Sequence, residues 1–211
     1  FTEVTCHMRK GLKFSDGEPC TSENIRFWFE DIISNTELTP VPNIWLRPGK
    51  ELCKLTVVDD TTYKLTFKIP HPAFVLVAMA HFYGTSYTAF SPFHYLKQFH
   101  IKYNDKANDL AKEKGFDFWY QNFLRQHDPI QNIDRPRLTP YIPVRDTPSM
   151  VFWERNPFYS AVDPEGNAGI ILAGFDGGSM AKSVGTVVSQ GLKYIVPVGL
   201  EKMIPSVVEA S

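Results

Sequence analysis

The sequence predicts a mixed fold of helices and strands (α+β) that is followed by a small βαβ-like unit. Apolar and polar residues alternate over residues 1–9, which indicates a half-buried strand. Apolar residues at spacings of three and four, from Ile25 onwards, indicate an amphipathic helix. After Asn167, apolar runs flank a glycine-rich segment and a helical pattern, as in a parallel βαβ element. We therefore expect two domains, residues 1–168 and 169–211.

The first strand leads through a turn into the first helix. Residues 15–19 carry strong turn chemistry, because aspartate caps turns and glycine accepts a positive φ. Residues 21–24 resemble a capping signal, which places the start of the helix there. One helical face is apolar, and Pro40 and Pro42 end the helix. The residues of this face are Ile25, Trp28, Phe29, Ile32 and Ile33.

A β-hairpin is predicted next. Residues 55–58 and 62–69 flank a turn at Asp59-Asp60, and the second segment alternates between one apolar and one polar face. The apolar face comprises Tyr63, Leu65, Phe67 and Ile69. Two prolines end the hairpin, and residues 73–80 form a short apolar helix or turn.

A second helical region and a last strand follow. Residues 105–126 are helical with an interruption at Gly115, and their apolar stripe comprises Phe118, Trp119, Phe123 and Leu124. Residues 132–144 are rich in proline, arginine and asparagine, which predicts an ordered loop, and residues 150–155 predict a strand. We expect Trp28, Trp119 and Phe123 in the core.

Bulk properties exclude several classes of function. The 22 Lys and Arg residues balance 23 Asp and Glu residues, which gives no reason to expect a surface for nucleic acid. No apolar segment approaches the roughly 20 residues of a membrane span. The three cysteines show no CxxC spacing and read as small buried or half-buried thiols, although the spacing leaves a pairing open. Because Phe1 is not a natural start, we expect a missing N-terminus.

Catalytic and metal motifs are absent from the sequence. The six histidines show no HxxxH or HExxH spacing, and there is no GxSxG elbow. We therefore expect neither a metal nor a cofactor, and no enzymatic activity. The glycine-rich residues 174–179 leave one alternative open, a nucleotide- or phosphate-binding enzyme fragment in the tail. Lys182-Ser183 resembles the end of a P-loop, but Ala181 replaces the required glycine, so a plain turn is favoured.

Four segments, in order, resemble the family 5 extracytoplasmic solute-binding proteins, which serve oligopeptide, dipeptide and nickel importers. The segments are residues 7–24, residues 57–74, residues 92–100 and residues 154–167. The resemblance implies a partial lobe of a periplasmic-binding-protein type II fold and does not extend to residues 169–211. The resemblance also implies that residues 10–17 belong to the structural scaffold and do not contact the ligand.

The resemblance also implies a function. Such a protein binds a short peptide reversibly, without chemistry, and delivers it to an ABC permease at the membrane. The location would be periplasmic or extracellular, and a lipid anchor on a missing N-terminal segment is compatible with it. An oligosaccharide-binding member of the same family is the nearer alternative. A fusion fragment without a binding function of its own is another.

Aromatic residues in loops are the candidates for ligand contact. A binder that accepts many peptides should offer roomy pockets lined by rings, and Trp45, Tyr83 and Tyr87 lie in loops between regular elements. The resemblance implies that the loop with Pro42, Asn43 and Trp45 lies near the ligand. The alternative for Trp45 is that its ring packs the lobe.

Overall fold

The computed structural model describes residues 1–75, 89–129, 131–147 and 150–160, apart from the side chain of Met150. The predicted ligand contacts Tyr83 and Tyr87 therefore lie outside the described residues. The predicted βαβ-like domain, residues 169–211, also lies outside them. No helix among the described residues is long and apolar enough to cross a membrane.

A three-stranded antiparallel sheet contains the predicted strand and hairpin. Its strands are β1 (Glu3–His7), β2 (Lys54–Asp59) and β3 (Thr62–Thr66), in the order β1-β3-β2. Tyr63 and Leu65 on the central strand are buried, as the alternation predicts. The predicted end of the hairpin at Ile69 is wrong, since β3 ends at Thr66 and Ile69 is 42% exposed. The chain turns there into two prolines, which cannot donate to a ladder.

The first helix begins where the capping signal predicts. Helix α1 (Ser22–Phe27) continues into a wider π-helical turn (Trp28–Ile33). The side chain of Thr21 accepts a hydrogen bond from the helix, and the side chain of Asn24 accepts one from the backbone N–H of Thr21. Asn24 also donates to the carbonyl of Ser91 at 3.0 Å. Its amide therefore caps α1 and ties this helix to a distant segment.

Three further α-helices follow in the described part of the chain. They are α2 (Phe93–Leu96), α3 (Ala107–Glu113) and α4 (Trp119–His127). Gly115 interrupts the helical region as predicted, with a φ of +81° that favours glycine. The short helix α2 was not predicted, because its four residues are too few to show a helical period.

The apolar stripe of α4 is narrower than the sequence predicts. Trp28, Trp119 and Phe123 are buried in the core, as predicted. Phe118 and Leu124 are about half exposed, so the prediction is wrong for these two residues. Phe118 precedes the first turn of the helix, and Leu124 lies about 100° around the helix axis from Phe123.

A second hairpin ends the described chain. Strands β4 (Tyr141–Thr147) and β5 (Met150–Arg155) pair antiparallel. The predicted strand at 150–155 is confirmed, but the predicted loop at 132–144 is wrong at its end, because β4 begins at Tyr141. The sheet accommodates Pro143 next to a register shift between Pro143 and Arg145, a position where a missing N–H is tolerated.

The turn at residues 15–17 joins distant parts of the lobe. The backbone N–H of Ser15 donates to the carbonyl of Arg137 at 2.8 Å, and the N–H of Arg137 donates back to the Ser15 hydroxyl at 3.1 Å. A carboxylate oxygen of Asp16 lies 2.7 Å from Nε2 of His94. Gly17 packs against the ring of Phe158, which lies 3.1 Å from where a Cβ would be. The turn is therefore scaffold, as expected.

Asn156 stabilises the entry to and exit from the β4–β5 hairpin. Its side chain is fully buried, donates to the carbonyl of Thr139 at 2.9 Å and accepts from the N–H of Phe158 at 2.9 Å. Its own N–H donates to the carbonyl of Pro140 at 2.8 Å. A buried side chain that satisfies backbone groups on both sides of a turn fixes the path of the chain.

Candidate ligand-binding site

The loop after the first helix is held in place by local hydrogen bonds. The side-chain oxygen of Asn43 accepts from the N–H of Trp45 at 2.9 Å and caps a short 3-10 turn (Ile44–Leu46). The carbonyl of Pro42 accepts from Nε of Arg47 at 2.6 Å. Leu46 is fully buried and anchors the turn in the core. The loop therefore presents Trp45 on an ordered support.

The indole of Trp45 belongs to an aromatic cluster, the Trp45 cluster, formed by Trp45, Phe67, His71 and Phe74. The rings of Trp45 and His71 stack with centroids 5.5 Å apart and planes 5° from parallel. The imidazole also contacts Phe67 at 5.3 Å and Phe74 at 5.4 Å between centroids. Trp45 is half-buried, whereas Phe67 and Phe74 are 3% and 1% exposed. Trp45 is thus the ring of these four that faces both the core and the surface.

Exposed apolar side chains flank the cluster along the chain. Val41 and Ile44 lie on either side of Asn43 and are 66% and 70% exposed. Ile69 and Val75, which bracket His71 in sequence, are 42% and 40% exposed. Exposed apolar residues close in sequence to a half-buried tryptophan make this loop a candidate surface for ligand contact.

His71 was not among the predicted site residues. Its side chain is 9% exposed, and its Nε2 has no hydrogen-bond partner among the described residues. Its backbone N–H donates to the carbonyl of Phe1 at 3.0 Å, which fixes the residue between two prolines. A lone histidine has no spacing pattern, so its contact with Trp45 is visible only in the folded chain.

An open cleft of about 730 Å³ lies at the turn between β2 and β3. Its lining includes His7, Lys10 and the turn residues 59–62. The carboxylate of Asp59 accepts from the N–H and the hydroxyl of Thr61, and the backbone hydrogen bond lowers its pKa. These groups serve the hairpin turn, in agreement with the sequence-based interpretation of Asp59-Asp60. In the described ranges no group of three or more His, Cys, Asp or Glu residues could hold a metal ion.

None of the three cysteines is in a disulfide. Cys20 and Cys53 are buried and Cys6 is partly buried, as the sequence predicts. Burial raises the pKa of Cys20 and that of Cys53 to about 12, and it raises the pKa of Cys6 as well. Near neutral pH these groups are protonated thiols, which are weak nucleophiles.

Known structures share this fold. An oligopeptide-binding protein, OppA, is 36% identical with a TM-score of 0.70, over 79% of this chain and 26% of that chain. The periplasmic binding protein MelB from Agrobacterium fabrum C58, solved in complex with stachyose, is 26% identical with a TM-score of 0.60, over 79% of this chain and 23% of its own. The described residues therefore have part of the fold of these binding proteins, as the resemblance implied.

Sequence comparison defines the family. The family model for bacterial extracellular solute-binding proteins, family 5 (middle segment), matches residues 1–123. The periplasmic alpha-galactoside-binding protein of Rhizobium meliloti (strain 1021) is 31% identical over 166 residues, which are 78% of this chain and 22% of that protein. The chain belongs to the family 5 bacterial extracellular solute-binding proteins. It spans about a quarter of the length of these relatives.

Proposed function

We propose that this chain is part of the solute-binding component of an ABC importer and that it binds short peptides reversibly, without chemistry. The observation that carries the proposal is the 36% identity to an oligopeptide-binding protein over 79% of the chain, at a TM-score of 0.70. We also propose an ABC permease as the partner, because a binding protein that performs no reaction must hand its ligand on. The family's extracellular character supports a periplasmic or extracellular location, with a lipid anchor as a further proposal.

The proposed contact surface is the Trp45 loop. The half-buried indole offers an apolar plate of the kind that accommodates varied ligand side chains. The side-chain oxygen of Asn43 and the carbonyl of Pro42 are used inside the loop, so we assign these two residues the role of shaping it. Tyr83 and Tyr87 remain proposed contacts on the strength of their loop positions.

An oligosaccharide is the second candidate ligand. Two relatives support it, one named for alpha-galactosides and one solved with stachyose. The exposed part of an indole ring binds the apolar face of a sugar as readily as it binds an apolar peptide side chain. Geometry at Trp45 therefore does not separate the two ligand classes, and the ligand has to be identified by binding.

Thermal unfolding of the 211-residue chain tests the proposal. We expect the unfolding midpoint to rise with the concentration of a pool of short peptides, since a ligand at 100 times its Kd stabilises the folded state by about 2.7 kcal/mol. The same measurement with stachyose tests the oligosaccharide alternative. Trp45→Ala should abolish the shift, whereas Trp153→Ala, which removes a 51% exposed tryptophan on β5, should retain it.

Each other outcome has a definite meaning. A shift with stachyose alone would replace the peptide proposal by the oligosaccharide one. No shift with either ligand would refute both, and a shift that survives Trp45→Ala would refute the proposed contact surface. Stabilisation by ATP that Lys182→Ala removes would favour the remaining alternative, a nucleotide- or phosphate-binding enzyme fragment in residues 169–211.

A further inference from the structure

We propose that His71 is a specificity-determining residue of the Trp45 site. In this proposal its Nε2 forms a hydrogen bond with a neutral hydroxyl or amide group of the ligand, while the ring of Trp45 packs against an apolar part of the same ligand. The inference rests on the proposed function and deepens it, because it names the polar group that the site recognises.

The first argument is the unpaired nitrogen. Nε2 of His71 is buried without a hydrogen-bond partner among the described residues. Most buried polar side-chain atoms are paired, and an unpaired one lowers the equilibrium constant for folding by roughly tenfold. Phe67, Phe74 and Trp45 would pack around a phenylalanine equally well and without this penalty. The packing alone therefore gives no reason for an imidazole at this position.

The second argument is access. Of the three rings that contact His71 among the described residues, Phe67 and Phe74 are almost completely buried, whereas Trp45 is half-buried on a surface loop. In the proposal, the ligand therefore reaches the imidazole past Trp45, the ring of these three that lies at the surface. The rings of Trp45 and His71 are parallel with centroids 5.5 Å apart, which is the separation of an offset stack. In the proposal, the ligand packs on the part of the indole that the imidazole does not cover.

The third argument is the chemistry around the two rings. Val41, Ile44, Ile69 and Val75 flank the cluster in sequence and are all exposed and apolar. The half-buried indole offers an apolar contact and the imidazole offers one nitrogen, which favours a ligand with an apolar part and a neutral donor or acceptor. A peptide amide and a sugar hydroxyl both satisfy this description.

His71→Phe and His71→Gln in the full chain test the inference. Without ligand, we expect His71→Phe to unfold at the same temperature as the wild type or higher, because the unpaired nitrogen is gone. We expect its affinity for the ligand that binds the wild type, either the short peptides or stachyose, to fall about tenfold. His71→Gln keeps a hydrogen-bonding amide and should lose no more than about threefold. Isothermal titration calorimetry gives the affinities, and the peptide and stachyose arms distinguish an amide from a hydroxyl.

A spectroscopic signal separates recognition from packing. In the wild type, the ¹⁵N resonance of Nε2 of His71 should shift when ligand is added, since a new hydrogen bond changes the shielding of that nitrogen. Unchanged affinity in His71→Phe, or an unchanged Nε2 resonance, would overturn the inference and leave peptide or sugar binding at Trp45 intact. A wild-type chain that binds neither ligand would overturn the proposed function and this inference together.

Discussion

Acid should destabilise this lobe through His127 at the end of α4. The imidazole lies 2.9 Å from the hydroxyl of Ser91 and stacks on Phe123 with centroids 5.9 Å apart. Burial, assisted by the charge of Arg135 and opposed by that of Asp128, lowers the pKa of His127 from 6.5 to about 3. Between these two values the unfolded chain binds a proton that the folded chain does not. The folded state is therefore most stable above the unfolded pKa, and the free energy of unfolding decreases as the pH falls through 6.5 towards 3.

The magnitude follows from the pKa difference. At pH 5 the pH is about 1.5 units below the unfolded pKa of His127, so protonation stabilises the unfolded chain. At 1.36 kcal/mol per unit, this stabilisation is about 2 kcal/mol relative to pH 8. The side chain of His127 keeps some contact with solvent, which reduces the penalty for charging it. We therefore expect this one residue to lower the free energy of unfolding by about 1 to 2 kcal/mol.

Urea denaturation, followed by tryptophan fluorescence at a series of pH values, measures this change. His127→Gln can still hydrogen-bond Ser91 but does not titrate. Between pH 8 and pH 5 its free energy of unfolding should therefore fall by about 1 to 2 kcal/mol less than that of the wild type. Some dependence should remain, because burial also lowers the pKa of His100. Wild type and His127→Gln with the same pH dependence would refute the assignment of acid sensitivity to His127.

Two further predictions concern the scaffold. Asn156→Ala removes the side-chain hydrogen bonds to Thr139 and Phe158 and should lower the free energy of unfolding by about 2 to 3 kcal/mol in urea denaturation. A loss below about 0.5 kcal/mol would contradict the role assigned to this residue. Gly17→Ala combines a φ of +90° with a close approach to Phe158, whereas Gly11→Ala has a φ of +76° and nothing within 4 Å of the new Cβ. We expect a loss of about 1 kcal/mol in Gly11→Ala and about 1 kcal/mol more in Gly17→Ala; equal losses would show that Phe158 yields without cost.

The sequence predicted correctly the features that depend on residues only a few positions apart in the chain. The start of α1 depends on the side chains of Thr21 and Asn24, which satisfy N–H groups on the same turn. The interruption at Gly115 depends on a backbone conformation that glycine adopts readily. The ligand contacts expected in the Trp45 loop stay a prediction, which the binding measurements test.

By itself, the sequence determined the family, the alternation of β1 and β3, and the loop that carries Trp45. Only the tertiary structure decided that Phe118 is exposed, how β4 pairs with β5 and what Trp45 contacts. His71 lies 26 positions from Trp45 in the sequence, and Ser15 lies 122 positions from Arg137. A helical or strand period describes one face of one element, whereas these contacts join faces of different elements. Their formation depends on the packing of the whole lobe, which no local pattern contains.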